Sequence, residues 1–153
     1  MSETLKLRLW TLSRIPLLFF LRPSVVEVNA QKCVIRIPLS RRSRNHLGSM
    51  YFGALCAGAD LAGALLAMRR IEESGRRVSL IFKDVHARFT KRAEGDVLFS
   101  CEDGEAIGEL VARAVASGER EERTVRVVAT VPEKLGPEPV AEFELTLSLK
   151  RRD

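Results

Sequence analysis

The chain has 153 residues, of which 46% are hydrophobic and 29% charged, with a formal net charge of +5. This composition is typical of a globular protein, and the length predicts one domain over residues 1–153 with a sizeable buried core. The positive charge leaves an anionic partner open. Nucleic acid is disfavoured as that partner, because aromatic residues make up only 6% and basic side chains are scattered among acidic ones.

The cysteines predict the cellular compartment. Cys33, Cys56 and Cys101 are odd in number, far apart and outside any Cys-x-x-Cys spacing. Each lies in an apolar segment, which predicts small buried hydrophobic residues with reduced thiols and therefore a cytoplasmic protein. The apolar run over 15–21 is not followed by a small-residue cleavage site, so we do not expect a signal peptide.

A helix, an apolar turn and two strands are predicted at the start of the chain. Within residues 3–14, helical spacing places three leucines on one stripe: Leu5, Leu9 and Leu12. Residues 5–9 also alternate as a strand would, so both structures stay open there. Prolines at positions 16 and 23 bracket the turn, and strands are predicted over 25–29 and 31–38.

A long helix follows in a segment that is unusually poor in charge. Residues 47–68 contain a single charged residue, Asp60, and their glycines recur every five positions: Gly48, Gly53, Gly58 and Gly63. An interior glycine costs an exposed helix about 1 kcal/mol against alanine, so the pattern favours a buried helix packed closely against other backbone. A central aspartate costs about 2.5–3.5 kcal/mol in a bilayer, which argues against a membrane span. We expect the helix to end near Gly75.

The rest of the chain predicts four strands with one amphipathic helix inserted. In residues 78–92 the apolar residues change parity after Phe82, which indicates a β-bulge near Lys83 and Asp84. A strand over 97–101 precedes a helix that Asp103 is expected to cap and that ends at Gly118. Strands over 124–131 and 140–149 flank a turn at 133–139. A sheet curled around one buried helix is the hotdog arrangement, so the predicted fold class is α+β, hotdog.

Residues 45–64, NHLGSMYFGALCAGADLAGA, resemble without gaps the active-site segment of hotdog-fold acyl-CoA thioesterases of the phenylacetyl-CoA type. In that segment an Asn is followed by a Gly, a His-Gly-Gly run and an acid, and four residues fall in register: Asn45, Gly48, Gly53 and Asp60. Tyr51 replaces the His, and Phe52 replaces the first Gly. Nearly the whole chain is similar to an uncharacterised branch of this superfamily whose members are classed as thioesterases.

The resemblance implies roles for the residues in register. Asp60 would activate water or attack directly on a thioester bound at a dimer interface, and Asn45 would position the water or the carbonyl. The backbone N–H of Gly53, near the positive end of the helix, would stabilise the oxyanion, a contribution of about 2.7–4 kcal/mol in other enzymes. Tyr51 could donate through its hydroxyl or simply pack. Gly48 and Phe52 would contact the substrate.

Basic residues suggest how the thiol part of the substrate is held. Arg88, Lys91 and Arg92 follow the predicted bulge and could bind the phosphates of coenzyme A, although such charges more often form a solvated face. The expected substrate is an acyl-CoA or acyl-carrier thioester. The two histidines, His46 and His86, lack neighbours at metal-ligand spacing, so no metal or other cofactor is expected.

Other interpretations of the same residues remain open. Asp60 could pair with an arginine or cap a loop, and Asn45 could be a turn residue or a helix cap. The expected assembly is a homodimer that joins sheets edge to edge, with a tetramer also open. The alternative function is a non-catalytic acyl-binding protein, suggested by the loss of His at position 51. A dehydratase or hydratase is disfavoured because its Asp-x-Asn-Pro-x-His and His-Phe-Pro motifs are absent.

Overall fold

Segments with helical and strand periodicity form five helices and six strands in the computed structural model, which describes residues 1–153. In chain order these elements are α1 (Glu3–Arg14), α2 (Pro16–Phe20), β1 (Ser24–Val28), β2 (Cys33–Ile37), α3 (Phe52–Ser74), β3 (Val78–Phe89), β4 (Val97–Cys101), α4 (Gly104–Ser117), β5 (Glu121–Thr130), α5 (Pro132–Leu135) and β6 (Pro139–Arg151).

The six strands form one antiparallel sheet in the order β1-β2-β4-β5-β6-β3, curled around α3. This is the hotdog arrangement, so the predicted fold class is confirmed. The bulge is also confirmed, because the pairing of β3 with β6 shifts between Phe82 and Asp84. β1 and β3 are the edge strands, and β3 is the longer of the two.

α3 is the core helix. Its length and apolar composition would also suit a membrane span, but half of its most apolar stretch is buried inside the protein. The helix ends at Gly75, whose φ of 67° is the left-handed conformation expected after a helix terminus. The predicted close approach occurs at Gly58, although the neighbour is a side chain: a Cβ there would overlap the buried ring of Phe99. The packing at Gly63 is less tight, since a Cβ there would lie 3.6 Å from Phe82, an ordinary contact distance.

One sequence alternative is resolved and one local expectation is wrong. Residues 3–14 form the helix, and its stripe of Leu5, Leu9 and Leu12 is exposed, whereas Leu7 and Thr11 are buried. Hydrogen bonds anchor α1 to the start of β1, where the Val25 N–H donates to Thr4 Oγ1 at 2.9 Å. Asp103 begins α4 but does not cap it with its side chain, because its carboxylate accepts from the backbone N–H of Arg126 at 2.7 Å.

Candidate active site

Asp60 lies in the middle of α3, in the wall of a cavity of about 310 Å³ that separates α3 from α1 and α2. The facing walls are apolar and come from Leu7, Trp10 and Leu18. No side chain or backbone N–H within the chain hydrogen-bonds to Asp60, and burial alone raises the pKa of its carboxyl above the usual value. Arg69 borders the same cavity, but its nearest carboxylate is that of Glu73, at 3.5 Å. The interpretation of Asp60 as half of an ion pair is therefore not supported.

Asn45 organises the turn that precedes α3. Its side-chain oxygen accepts from the backbone N–H groups of Leu47 at 2.9 Å and Ser49 at 3.2 Å. Gly48 takes a φ of 83° in this turn, a conformation that a side chain would strain. Of the alternatives for Asn45, the structure supports a turn residue, since Tyr51 and not Asn45 occupies the N-cap position of α3. The amide group of Asn45 still borders a cavity beside the turn.

The first turn of α3 leaves hydrogen-bond donors free. The Tyr51 side chain makes no capping hydrogen bond, and the first intrahelical bond runs from the Leu55 N–H to the Tyr51 carbonyl at 3.1 Å. The backbone N–H of Gly53, at the second helical position, therefore has no partner within the chain. Together with the helix dipole, such a donor suits a developing negative charge. The Tyr51 ring lies directly on Gly53, where a Cβ would overlap it.

A second cavity, of about 480 Å³, lies beside this turn and the end of β3. Five predicted site residues border it: Asn45, Tyr51, Phe52, Lys91 and Arg92. Aromatic rings form its apolar part, with Phe52 and Phe89 edge to face at a centroid distance of 6.2 Å. The cationic groups at its rim are engaged at the surface: Lys91 Nζ lies 2.8 Å from Glu138, and Arg92 donates to the Leu47 carbonyl at 3.0 Å.

Arg88 is not brought into this cavity. Successive residues of a strand point to opposite faces of a sheet. Phe89 packs its ring against Phe143 on the inner face, at a centroid distance of 5.9 Å, so Arg88 points to the outer face. It stands opposite Glu142 of β6 there.

Six of the nine predicted site residues border one of two cavities, and Gly48, Gly53 and Arg88 border neither. The cavity beside the turn collects the residues around Asn45, whereas Asp60 opens into the cavity beneath α1. The sequence interpretation missed the apolar residues of α1 and α2 that surround Asp60. Helical spacing predicts α1, but no feature of the sequence indicates that α1 lies over this part of α3.

Two of the three cysteines are unsuited to catalysis. Cys33 and Cys101 pair across β2 and β4 as free, fully buried thiols, and burial raises their pKa values to about 12 and about 11. Neither forms thiolate near neutral pH. No cluster of three or more His, Cys, Asp or Glu residues is arranged to hold a metal ion.

Comparisons with known proteins agree with this architecture. Residues 7–149 match the family described as a domain of unknown function, DUF4442. A Pseudomonas aeruginosa protein of unknown function, described as a probable thioesterase, has a TM-score of 0.81 at 26% identity, over 99% of this chain and 97% of that chain. A Chlorobaculum tepidum protein of unknown function reaches 0.85 at 12% identity, over 97% and 94%. A Haemophilus influenzae thioesterase reaches 0.72 at 14% identity, over 99% and 92%.

No curated protein matches the chain. The structural likenesses confirm the hotdog fold and the resemblance to thioesterases of that fold.

Proposed function

The chain belongs to the DUF4442 family, and we propose that it hydrolyses an acyl thioester to a carboxylate and a free thiol. The observation that carries the proposal is Asp60, a carboxyl without a partner in the wall of an apolar cavity on the core helix. Such a group costs stability, and perturbed carboxyl groups of this kind cluster at functional sites. The thioesterases among proteins of the same fold support a thioester as the substrate. Coenzyme A or a carrier protein would supply the thiol.

The chemistry requires a base and an oxyanion donor. The Asp60 carboxylate takes a proton from water as the water oxygen attacks the thioester carbon, and the N–H of Gly53 donates to the oxyanion. The C–S bond then breaks, and the leaving thiolate takes up a proton. The raised pKa of Asp60 makes it a stronger base than an exposed aspartate. Direct attack by Asp60 on the carbon, followed by hydrolysis of the anhydride, uses the same groups.

One chain cannot bring both groups to the same carbonyl. Seven residues separate Gly53 from Asp60, which places them about 10 Å apart along the axis of α3. Catalytic contacts require about 3 Å. We therefore place the site between two copies, with Asp60 of one chain facing the Asn45 and Gly53 region of the other.

The sheet edge supports this homodimer. β3 is a long edge strand whose exposed apolar side chains include Ile81, Val85 and Phe89, each 45–54% exposed. Natural sheets avoid leaving such an edge open to solvent. Pairing β3 with its copy would continue the sheet across a two-fold axis and set the two core helices side by side. Sedimentation equilibrium of the purified protein tests this assembly, and a monomer at micromolar concentration would contradict it.

A panel of acyl-CoA thioesters with a thiol-detecting dye tests the activity. We expect hydrolysis by the wild type and a loss of at least a hundredfold in Asp60→Asn, with the dimer intact. Hydrolysis at equal rates by both proteins would show that Asp60 has no catalytic role. No hydrolysis of any acyl-CoA or acyl-carrier thioester by the wild type would overturn the proposed reaction.

One observation favours a second function, a non-catalytic acyl-binding protein. The Tyr51 ring packs on Gly53, in the space that a Cβ at this position would take. If Tyr51 stays in place, the oxyanion donor is shielded and a thioester can bind without reacting. Binding of acyl-CoA by calorimetry, without release of thiol over hours, would identify this function.

A further inference from the structure

We propose that the cavity between α1 and α3 is a channel for the acyl chain, and that the substrate class is a linear acyl thioester of medium length. This inference rests on the proposed thioesterase function and specifies its substrate. The cavity starts at Asp60, the group proposed to act at the carbonyl, so a chain attached to that carbonyl enters it directly.

The channel follows the axis of α3. Asp60, Ala64 and Met68 are spaced by four residues, so their side chains form one line along the floor. From Asp60 to Arg69 the helix rises about 14 Å. A cavity that is this long, with a volume of only about 310 Å³, is narrow. This volume is at the low end of ligand sites, which span about 300–1,000 Å³. The shape therefore suits a linear chain.

The lining of the channel is apolar along its length and charged at its far end. Leu7, Trp10 and Leu18 face the floor from α1 and α2. Beyond Met68 the wall changes to charged side chains: Glu3, Lys6, Arg69 and Glu72. Glu3 and Lys6, one turn apart on α1, form an ion pair at 2.8 Å at this end. An acyl chain that reaches this end would displace water from the charged groups, which gives no gain in binding free energy. The charged end therefore limits the length of acyl chain that binds well.

The dimensions exclude a bulkier occupant. A helix from another protein is at least about 10 Å wide with its side chains. A cavity of about 310 Å³ that extends along α3 is too narrow to hold it. The walls next to Asp60 are apolar, and the phosphates of coenzyme A are expected instead at the cavity near Lys91 and Arg92. The acyl chain is the part of the substrate that remains.

Trp10 provides a direct measure of occupancy. It is the only tryptophan of the chain and it lines the channel. We would titrate Asp60→Asn with butanoyl-CoA and with decanoyl-CoA and follow tryptophan fluorescence. The expected result is a saturable change with decanoyl-CoA at a Kd at least tenfold below that for butanoyl-CoA. Equal Kd values, or no fluorescence change with either ligand, would overturn the channel. This readout does not depend on hydrolysis, so it separates the failure of the channel from the failure of the proposed reaction.

A substitution on the floor tests the length limit. Ala64→Leu places three further carbon atoms one turn beyond Asp60, in open space. We expect kcat/KM of the wild type to rise up to about fourfold per added methylene until the channel is full. The preferred chain should be shorter by two or more carbons in Ala64→Leu. Ala112→Leu, the same change at an exposed position of α4, is the control and should keep the wild-type profile.

Trp10→Ala removes the opposite wall and should lower kcat/KM for decanoyl-CoA at least tenfold while changing that for butanoyl-CoA less than threefold. Trp10→Ala keeps the channel testable if Ala64→Leu fails to fold. Trp10 is already 37% exposed, so its truncation should leave the fold intact. Hydrolysis by the wild type with no dependence on chain length would overturn the channel and leave the thioesterase function standing. The channel would also be overturned if Ala64→Leu, Trp10→Ala and the control Ala112→Leu all showed the same dependence of kcat/KM on acyl-chain length.

Discussion

The ring of Tyr51 lies on Gly53, so closely that a Cβ at position 53 would overlap its Cε1 atom. A larger residue at position 53 would displace this ring, which lies next to the proposed oxyanion donor. Tyr51 is 50% exposed and its hydroxyl makes no hydrogen bond, so the ring can turn aside at little cost. Access to the N–H of Gly53 thus depends on the orientation of one surface side chain.

Asp60→Asn is expected to raise stability at neutral pH while it lowers thioester hydrolysis. Burial raises the pKa of Asp60 in the folded protein above its unfolded value, so the ionised carboxylate opposes folding. The destabilisation by ionised Asp60 is absent below about pH 4, and it grows as the pH rises through the folded-state pKa. Urea unfolding of both proteins across this range measures the difference in free energy of unfolding. A variant less stable than the wild type at neutral pH would show that Asp60 has a stabilising partner.

Gly53→Ala is expected to lower kcat/KM at least tenfold with a change in Tm of less than about 3 °C. The added methyl displaces the half-exposed Tyr51 ring, which costs little, but it also reduces the space next to the N–H that the substrate carbonyl must approach. Steady-state kinetics and thermal unfolding measure the two effects. Full activity in this variant would mean that no substrate atom approaches Gly53.

Gly58→Ala and Gly63→Ala are expected to change stability in opposite directions. A Cβ at Gly58 would overlap the buried Phe99 ring, and overpacking of this kind costs about 1–3 kcal/mol. A Cβ at Gly63 would meet Phe82 at 3.6 Å, an ordinary contact, so alanine should add up to about 1 kcal/mol through helix propensity. Denaturant unfolding measures the change in free energy of unfolding for each variant. Destabilisation by both substitutions would contradict the inference that Gly58 is tightly packed and Gly63 is not.

Lys91→Ala combined with Arg92→Ala is expected to raise KM for acyl-CoA about tenfold and to leave KM for the matching acyl-pantetheine unchanged. Both residues border the cavity beside the turn, where charge-assisted bonds to phosphate would form. Arg88→Ala is the matched control, because Arg88 points to the opposite face of the sheet. An equal rise in KM from the control would place coenzyme A on the outer face.

Mixing Asp60→Asn subunits with Gly53→Ala subunits is expected to restore about a quarter of wild-type activity. Half of the dimers formed at random are mixed, and each mixed dimer carries one site with both groups intact. The measurement is hydrolysis after denaturation and joint refolding, with each variant refolded alone as the control. If subunits exchange and activity stays at the level of the parents, each chain carries its own complete site.

Local patterns in the sequence determined the elements and their order. Apolar periodicity predicted the bulge after Phe82 and the alternation of β6, because the two faces of a strand differ in burial. Gly75 marked the end of α3, because it takes the left-handed conformation there. The charge-poor run around Asp60 predicted a core helix, since such a segment gains most from burial. These features depend on neighbours within a few positions of each other, and the sequence displays them directly.

Only the tertiary structure decided which surfaces meet. The sequence indicated that α3 needed glycines but did not reveal that Phe99 fills the space at Gly58. The spacing of residues 3–14 placed Leu5, Leu9 and Leu12 on one stripe, but the packing of α1 leaves that stripe exposed and buries Leu7. Asp60 and Asn45 are close in sequence, yet they open into separate cavities, because the rise and rotation of a rigid helix set where its residues point. Contacts between residues far apart in the chain follow from how whole elements pack, and local periodicity does not encode that packing.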